Sequence, residues 1–331
     1  MHGTQDAHQA PLRQTQGKFT HPDRTATGEP RAKVALHRLD TLWINTGTLC
    51  NIECANCYIE SSPTNDRLAY FSAEDARAVY DEIAELGLAT REIGFTGGEP
   101  FMNRDMIEMA REALARGFTV LILTNAMRPM QRARVKEGLL ALQRDYGAQF
   151  TIRVSLDHYS AEYHDTERGA GSFASSCRGL EWLAQNGFNV SIAGRSMWDE
   201  PEAEARAGFA RLIAERGWPV DADDPSRLVL FPEMDEKADM PEITESCWGI
   251  LGKSPDSVMC ASSRMIVKRK GADKPTVLPC TLLPYDTAFE MGASLRESFA
   301  ADGGMFDNGA VKLCHPHCAK FCVLGGASCS G

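Results

Sequence analysis

The chain has 331 residues, 43% hydrophobic and 24% charged, which is the balance of a globular protein with one large domain or a domain plus an appendage. A formal net charge of -10 argues against a general nucleic-acid surface, and the one compact basic run, Lys268-Arg269-Lys270 before Gly271, reads as a hairpin tip. No apolar run nears the roughly 18 residues of a membrane span and the N-terminus lacks a signal-peptide core, so no membrane partner and a cytoplasmic location are expected.

Met1 to about Lys33 is polar, dotted with Pro and Gly and aperiodic, which predicts a disordered tail over 1–33. Strand-like runs then recur: "LDTLWINT", "REIGFTGG", "TVLILTNA", "QFTIRVSLD", "NVSIAG" and "RLVLF". They are short and rich in Val, Ile, Leu, Phe and Thr. Helical patterns separate them, beginning with "SAEDARAVYDEIAELG", where Ser72 and Asp75 resemble a capping box and Gly87 is the stop. Others run over Met106 to Arg116, about Met130 to Tyr146, about Phe173 to Asn186, and Glu202 to Arg216. The alternation predicts an α/β fold with a parallel sheet and right-handed crossovers. Six units are too few for the eight-stranded barrel, so a partial (βα)6 TIM-like barrel is expected over 34–233. Past about Phe231 helical periodicity fades and Cys, Gly and Pro become frequent, which sets off a cysteine-rich module over 234–331.

Eleven cysteines in a chain expected in a reducing compartment point to metal ligation or catalysis more than to disulfides. Cys177 stands alone and reads as a buried structural thiol. Cys50, Cys54 and Cys57 share one loop after the first run, spaced C-x3-C-x2-C. Three thiolates match three corners of a [4Fe–4S] cluster and leave one iron free for a reactant. Zinc is the alternative and would need a fourth ligand from elsewhere.

The spacing, followed one βα unit later by "FTGGEP", resembles the radical S-adenosylmethionine (radical SAM) superfamily, from about Thr41 to Met234. The resemblance implies a [4Fe–4S] cluster on Cys50, Cys54 and Cys57, whose free iron binds S-adenosyl-L-methionine. Reductive cleavage then gives methionine and a 5'-deoxyadenosyl radical that abstracts hydrogen. It also implies that Gly97, Gly98 and Glu99 hold the methionyl ammonium. In family order, Thr124 and Asn125, then Ser155 and Asp157, then Arg195 follow successive strand ends. Asn125, Ser155 and Arg195 become candidate contacts to the nucleotide or the methionyl carboxylate. The residue before the third cysteine is often aromatic in the family, but here it is Asn56. "HDTERGAGSF", with Arg168-Gly169, resembles a stretch of the branch that modifies peptides and proteins; a plain helix-entry turn is the alternative. His158 and His164 are candidate proton shuttles, with surface or core roles as the simpler reading.

The C-terminal module carries Cys247, Cys260, Cys280, Cys314, Cys318, Cys322 and Cys329. Two β-rich runs about Gly271 predict a hairpin that brings Cys260 and Cys280 together. His315 and His317 beside Cys314 and Cys318 suit zinc, whereas the upstream resemblance implies a SPASM/Twitch-like extension with one or two auxiliary [4Fe–4S] clusters. Spacings of three, three and six residues between the tail cysteines depart from the usual SPASM pattern, which leaves the ligand sets open. The expectation is a radical SAM enzyme, of oxidoreductase or lyase type, acting on a peptide or protein. A small-molecule enzyme similar to GTP 3',8-cyclase, or a non-catalytic zinc or iron–sulfur scaffold, are the alternatives. An electron donor such as flavodoxin or ferredoxin is the implied partner.

Overall fold

The computed structural model of the protein describes residues 17–232 and 239–326. A short strand β1 (Lys33–Val34) precedes β2 (Thr41–Asn45), after which helices and strands alternate. They are α1 (Ala73–Glu85), β3 (Glu92–Thr96), α2 (Met106–Ala115), β4 (Thr119–Thr124), α3 (Ala133–Tyr146), β5 (Phe150–Ser155), α4 (Ala161–Arg168), α5 (Ser172–Gln185), β6 (Asn189–Ser196), α6 (Glu202–Arg216) and β7 (Leu228–Pro232). The six expected strands, β2 to β7, pair in parallel with their sequence neighbours, from Thr41↔Glu92 in the first pair to Ser196↔Pro232 in the last. They form a partial barrel open beyond β7. Helices cover the outer face, so β2 to β6 are largely buried on both sides and read as near-continuous apolar runs, while β7 at the open edge is mostly half-buried. Gly94 is needed inside the sheet, because a Cβ there would lie 2.5 Å from the fully buried Trp43 ring.

Local chemistry fixes the helices. Ser72 Oγ accepts from the Asp75 amide at 3.0 Å and caps α1, a contact worth about 1 kcal/mol. Ala76, Val79, Tyr80 and Ile83 form the buried face of α1, and the Tyr80 hydroxyl donates to Met109 O at 3.2 Å, tying α1 to α2. Asp165 accepts from the Gly171 and Phe173 amides, both at 2.7 Å, so the last turn of α4 caps the start of α5.

The C-terminal part contains α7 (Cys247–Leu251), β8 (Ser263–Val267), β9 (Thr276–Leu278), α8 (Leu295–Phe299), β10 (Phe306–Asp307), β11 (Ala310–Lys312) and a π-helical turn at Cys318–Leu324. It is not a separate layer. β8 pairs in parallel with β2, Thr41↔Ser263 through Ile44↔Ile266, and β9 pairs antiparallel with β8, so the expected hairpin extends the barrel sheet. The fully buried "SRMIV" strand makes that docking favourable. The expected boundary at 233/234 lies outside the described residues.

The disordered tail expected over 1–33 requires correction where it is described. From residue 17 the segment, though largely exposed up to Pro30, is fastened by hydrogen bonds, and β1 pairs with β11. Glu242 accepts from the Phe19 amide at 2.7 Å and the Ala26 amide at 2.6 Å, and pairs with buried Arg31 at 2.5 Å. Arg31 also donates to Leu313 O at 3.1 Å. Among the described residues, no helix is long and apolar enough to cross a membrane.

Candidate functional site

The loop after β2 is fastened to the turn after β3. Gly98 N donates to Gly47 O at 2.9 Å and Glu99 N to Leu49 O at 3.1 Å. A Cβ on Gly97 would lie 2.5 Å from Gly47 O, and one on Gly98 2.3 Å from Leu49 O, so this approach admits only glycine. Cys50, Cys54 and Cys57 emerge from the fastened loop onto one cleft at the C-terminal ends of the strands, with about 1060 Å³ of open space including its mouth. That position is where barrel folds carry their chemistry, and the space suits a ligand of nucleotide size. Burial pushes the Cys50 thiol up to about 12 and Cys54 to about 11, with the neighbouring thiols adding to both. The Asn125 amide nitrogen lies 3.9 Å from Cys50 Sγ, and the Ser61 amide donates to Cys57 Sγ at 3.4 Å. Such N–H donors toward sulfur are a protein's means of tuning a thiolate-held cluster. Among the described residues, no three His, Cys, Asp or Glu side chains converge as a single ion requires. A cubane takes its thiolates at separate corners, so a spread set around one cleft fits it better than it fits zinc.

Gly97, Gly98, Asn125, Ser155 and Arg195 line the same cleft as the three cysteines, as do Asn56, Asp157 and Arg168. Two of the expected contacts are turned to other work. Glu99 lies behind the glycines, fully buried, where its carboxylate takes Thr124 Oγ1 at 2.9 and 3.0 Å and the amides of Asn125 and Phe101 at 3.0 and 3.1 Å. It braces β3 against β4 and is not among the residues lining the cleft. Burial raises its carboxyl to about 7 against the pull of those donors. Arg195 donates to Asn56 O at 3.1 Å and lies 3.6 Å from Glu167, so its guanidinium is already engaged.

Glu167 was not foreseen. At the end of α4 it accepts both Asn56 Nδ2 contacts, at 2.9 and 3.0 Å, while its carbonyl takes the Ala55 amide at 2.8 Å. The two residues between Cys54 and Cys57 are thereby held by α4. Asn56 is committed to this clamp, which accounts for the missing aromatic ring. Arg168 beside it makes a bidentate pair with Asp157 at 2.6 and 2.8 Å. Burial opposes ionisation of Asp157, yet the Arg168 guanidinium prevails and holds the carboxyl below its ordinary value. Neither histidine lines the cleft. His164 sits behind it, its Nδ1 accepting from the Asp157 amide at 3.1 Å, and burial lowers it to about 4. His158 packs among Tyr159, Tyr163 and Trp198. Both match the simpler reading.

A second, smaller cavity gathers Cys260, Cys280, Cys318 and Cys322, with His317 on its wall. The hairpin delivers the first two and the π-helical turn the others, its wide winding keeping residues four apart on one face. Burial, then the Cys280 and Cys260 thiols, push Cys318 well above its ordinary value. Four thiols on the wall of one cavity, three of them buried and Cys318 half-buried, supply the donor atoms a thiolate-held cluster uses. Cys314 does not line this cavity; its Sγ lies 3.5 Å from His21 O. Cys247 contacts Thr244 instead, with the Thr244 amide 3.4 Å from its Sγ. Cys329 lies outside the described residues. Leu282 lines both cavities, and Phe321 from the π-helical turn stacks on Phe231 of β7, with 5.7 Å between centroids, to close the larger one.

Residues 44–202 match the model of the Radical SAM superfamily. The antilisterial bacteriocin subtilosin biosynthesis protein AlbA of Bacillus subtilis (strain 168) is 32% identical over 155 residues, 45% of this chain and 32% of that protein. An AdoMet-dependent heme synthase of Oleidesulfovibrio alaskensis is 34% identical over 145 residues, 43% of this chain and 34% of the relative. The match thus spans about a third of these curated relatives. Streptococcus suis SuiB, solved with its precursor peptide SuiA, superposes with a TM-score of 0.59 at 14% identity, covering 81% of this chain and 66% of that one. At that identity the likeness is one of fold.

Proposed function

We propose, from the match of residues 44–202 to the Radical SAM superfamily model, that the chain is a radical SAM enzyme acting on a peptide or protein. Cys50, Cys54 and Cys57 would hold a [4Fe–4S] cluster, which with S-adenosyl-L-methionine supplies a 5'-deoxyadenosyl radical for hydrogen abstraction. The carrying observation is the convergence of these thiols on one cleft whose floor is laced to Gly97 and Gly98.

The chain's own side chains do the rest by binding, orienting and excluding water. Gly97 and Gly98 present bare backbone to the cleft. Asn125 and Ser155 offer polar groups at successive strand ends, and the Arg168–Asp157 ion pair, its charges balanced within the pair, lines the cleft beside them. Arg195 acts indirectly, through Asn56. Leu123, Phe231, Leu282 and Phe321 give the cleft an apolar side that keeps water from a reactive radical. Residues 34–233 would form the catalytic core and 234–331 the auxiliary region, although β8 joins the two. Cys260, Cys280, Cys318 and Cys322 would hold one auxiliary [4Fe–4S] cluster, and a flavodoxin or ferredoxin in the cytoplasm would supply electrons.

AlbA, whose name places it in bacteriocin biosynthesis, and SuiB with its precursor peptide support the peptide reading. Similarity to a heme synthase favours a small-molecule substrate as the second reading. Anaerobically reconstituted protein with dithionite should release 5'-deoxyadenosine from S-adenosyl-L-methionine, and Cys54→Ala should reduce this to background. Release undiminished in Cys54→Ala would refute the assignment. Co-expression with a short Cys-containing peptide encoded beside the gene separates the readings, since only a peptide-modifying enzyme changes that peptide's mass.

A further inference from the structure

Arg264, on β8, is fully buried. Its Nη1 donates to Cys260 O at 2.7 Å and Ser263 O at 2.8 Å, and Nη2 to Gly309 O at 3.3 Å. Among the described residues its Nε has no partner. These acceptors are neutral carbonyls, and the ionisable groups acting on the guanidinium are the Cys260 and Cys280 thiols. A buried charge costs several kcal/mol unless an opposite charge accompanies it. With both thiols protonated, this arginine would lack that charge.

We propose that Arg264 is the counter-charge of the auxiliary metal–thiolate centre, stabilising it in the protein and favouring its reduced form. The inference rests on the reading that Cys260, Cys280, Cys318 and Cys322 hold such a centre. Four thiolates outweigh the positive charge of an iron–sulfide core, and reduction adds a further negative charge beside the same guanidinium. The fixed cation therefore attracts the reduced state more strongly and raises the reduction potential. Arg264 does not line the cavity, so it acts through the field and as a positioning residue on Cys260.

The test uses the full chain with Cys50, Cys54 and Cys57 changed to Ala, so that only the second site loads iron. Iron content, the midpoint potential by EPR-monitored titration, and melting with and without iron are measured for Arg264, Arg264→Lys and Arg264→Met. Arg264→Lys should stay near the parent midpoint. Arg264→Met should bind less iron and favour the oxidised form on the order of tenfold, a fall of about 59 mV for a one-electron couple. Without iron, Arg264→Met should melt no lower than the parent, because it removes an unpaired buried charge. A folded Arg264→Met with unchanged midpoint and iron content overturns the proposal. So does an Arg264→Met that fails to fold with or without iron, since the arginine would then be a structural donor. A parent that binds no iron refutes the auxiliary centre itself, and the proposal with it.

Discussion

Gly98 shows how much one missing methyl group carries. Its alanine variant would press Cβ against Leu49 O at 2.3 Å, in backbone that cannot swing aside, and so push the turn away from the cysteine loop. Gly98→Ala is therefore expected to cost roughly 1–3 kcal/mol in chemical denaturation and to lower iron uptake at the three-cysteine site. Uptake equal to that of the parent would contradict the fastening described above. That Cys50, Cys54, Cys57, Gly97, Gly98, Asn125 and Ser155 share one cleft was legible in the sequence, because each lies at a strand end or in the loop that follows one. The orientation of Glu99 and Arg195 was not. Their partners, Thr124 and Glu167, come from other elements, and nothing in "FTGGEP" or "IAGRSM" announces them.

At the level of elements, α4 illustrates a helix made by its surroundings. Ala161–Arg168 is charged and short, with His164 and Glu167 its buried residues, so no apolar periodicity marks it. Its end carries the clamp on Ala55 and Asn56. Glu167→Ala removes a charged acceptor worth about 1.5–3 kcal/mol, and should loosen the loop between Cys54 and Cys57. Reconstitution should then give less iron at that site and an unchanged amount at the second cavity; equal loading at both would remove the clamp from the account. The strands β2 to β6 were readable because burial on both faces demands near-continuous apolar runs, and β7 was readable from its short run of Leu, Val and Phe. That β8 lies beside β2 was not, since periodicity identifies a strand but does not name its neighbour across more than two hundred residues.

For the molecule as a whole, the N-terminal segment is a tie between distant parts. Arg31 joins Glu242 and Leu313, and Ala32 accepts from the Leu313 amide at 2.9 Å. Arg31→Met leaves the Glu242 carboxylate buried without its cation. It should destabilise the protein by roughly 3–5 kcal/mol, read as a lower denaturation midpoint. A change within error would show that the tie is dispensable. Composition alone made residues 17–33 look disordered, because their order comes from acceptors more than two hundred residues away. The parallel seam between β2 and β8 sets a further property. Both cysteine-lined cavities hang from one hydrogen-bonded sheet, so their spacing is that of a girder and not of a hinge. Electron tunnelling falls off steeply with gap width, and the distance factor of a transfer across this span would stay nearly constant whatever molecule fills the cleft.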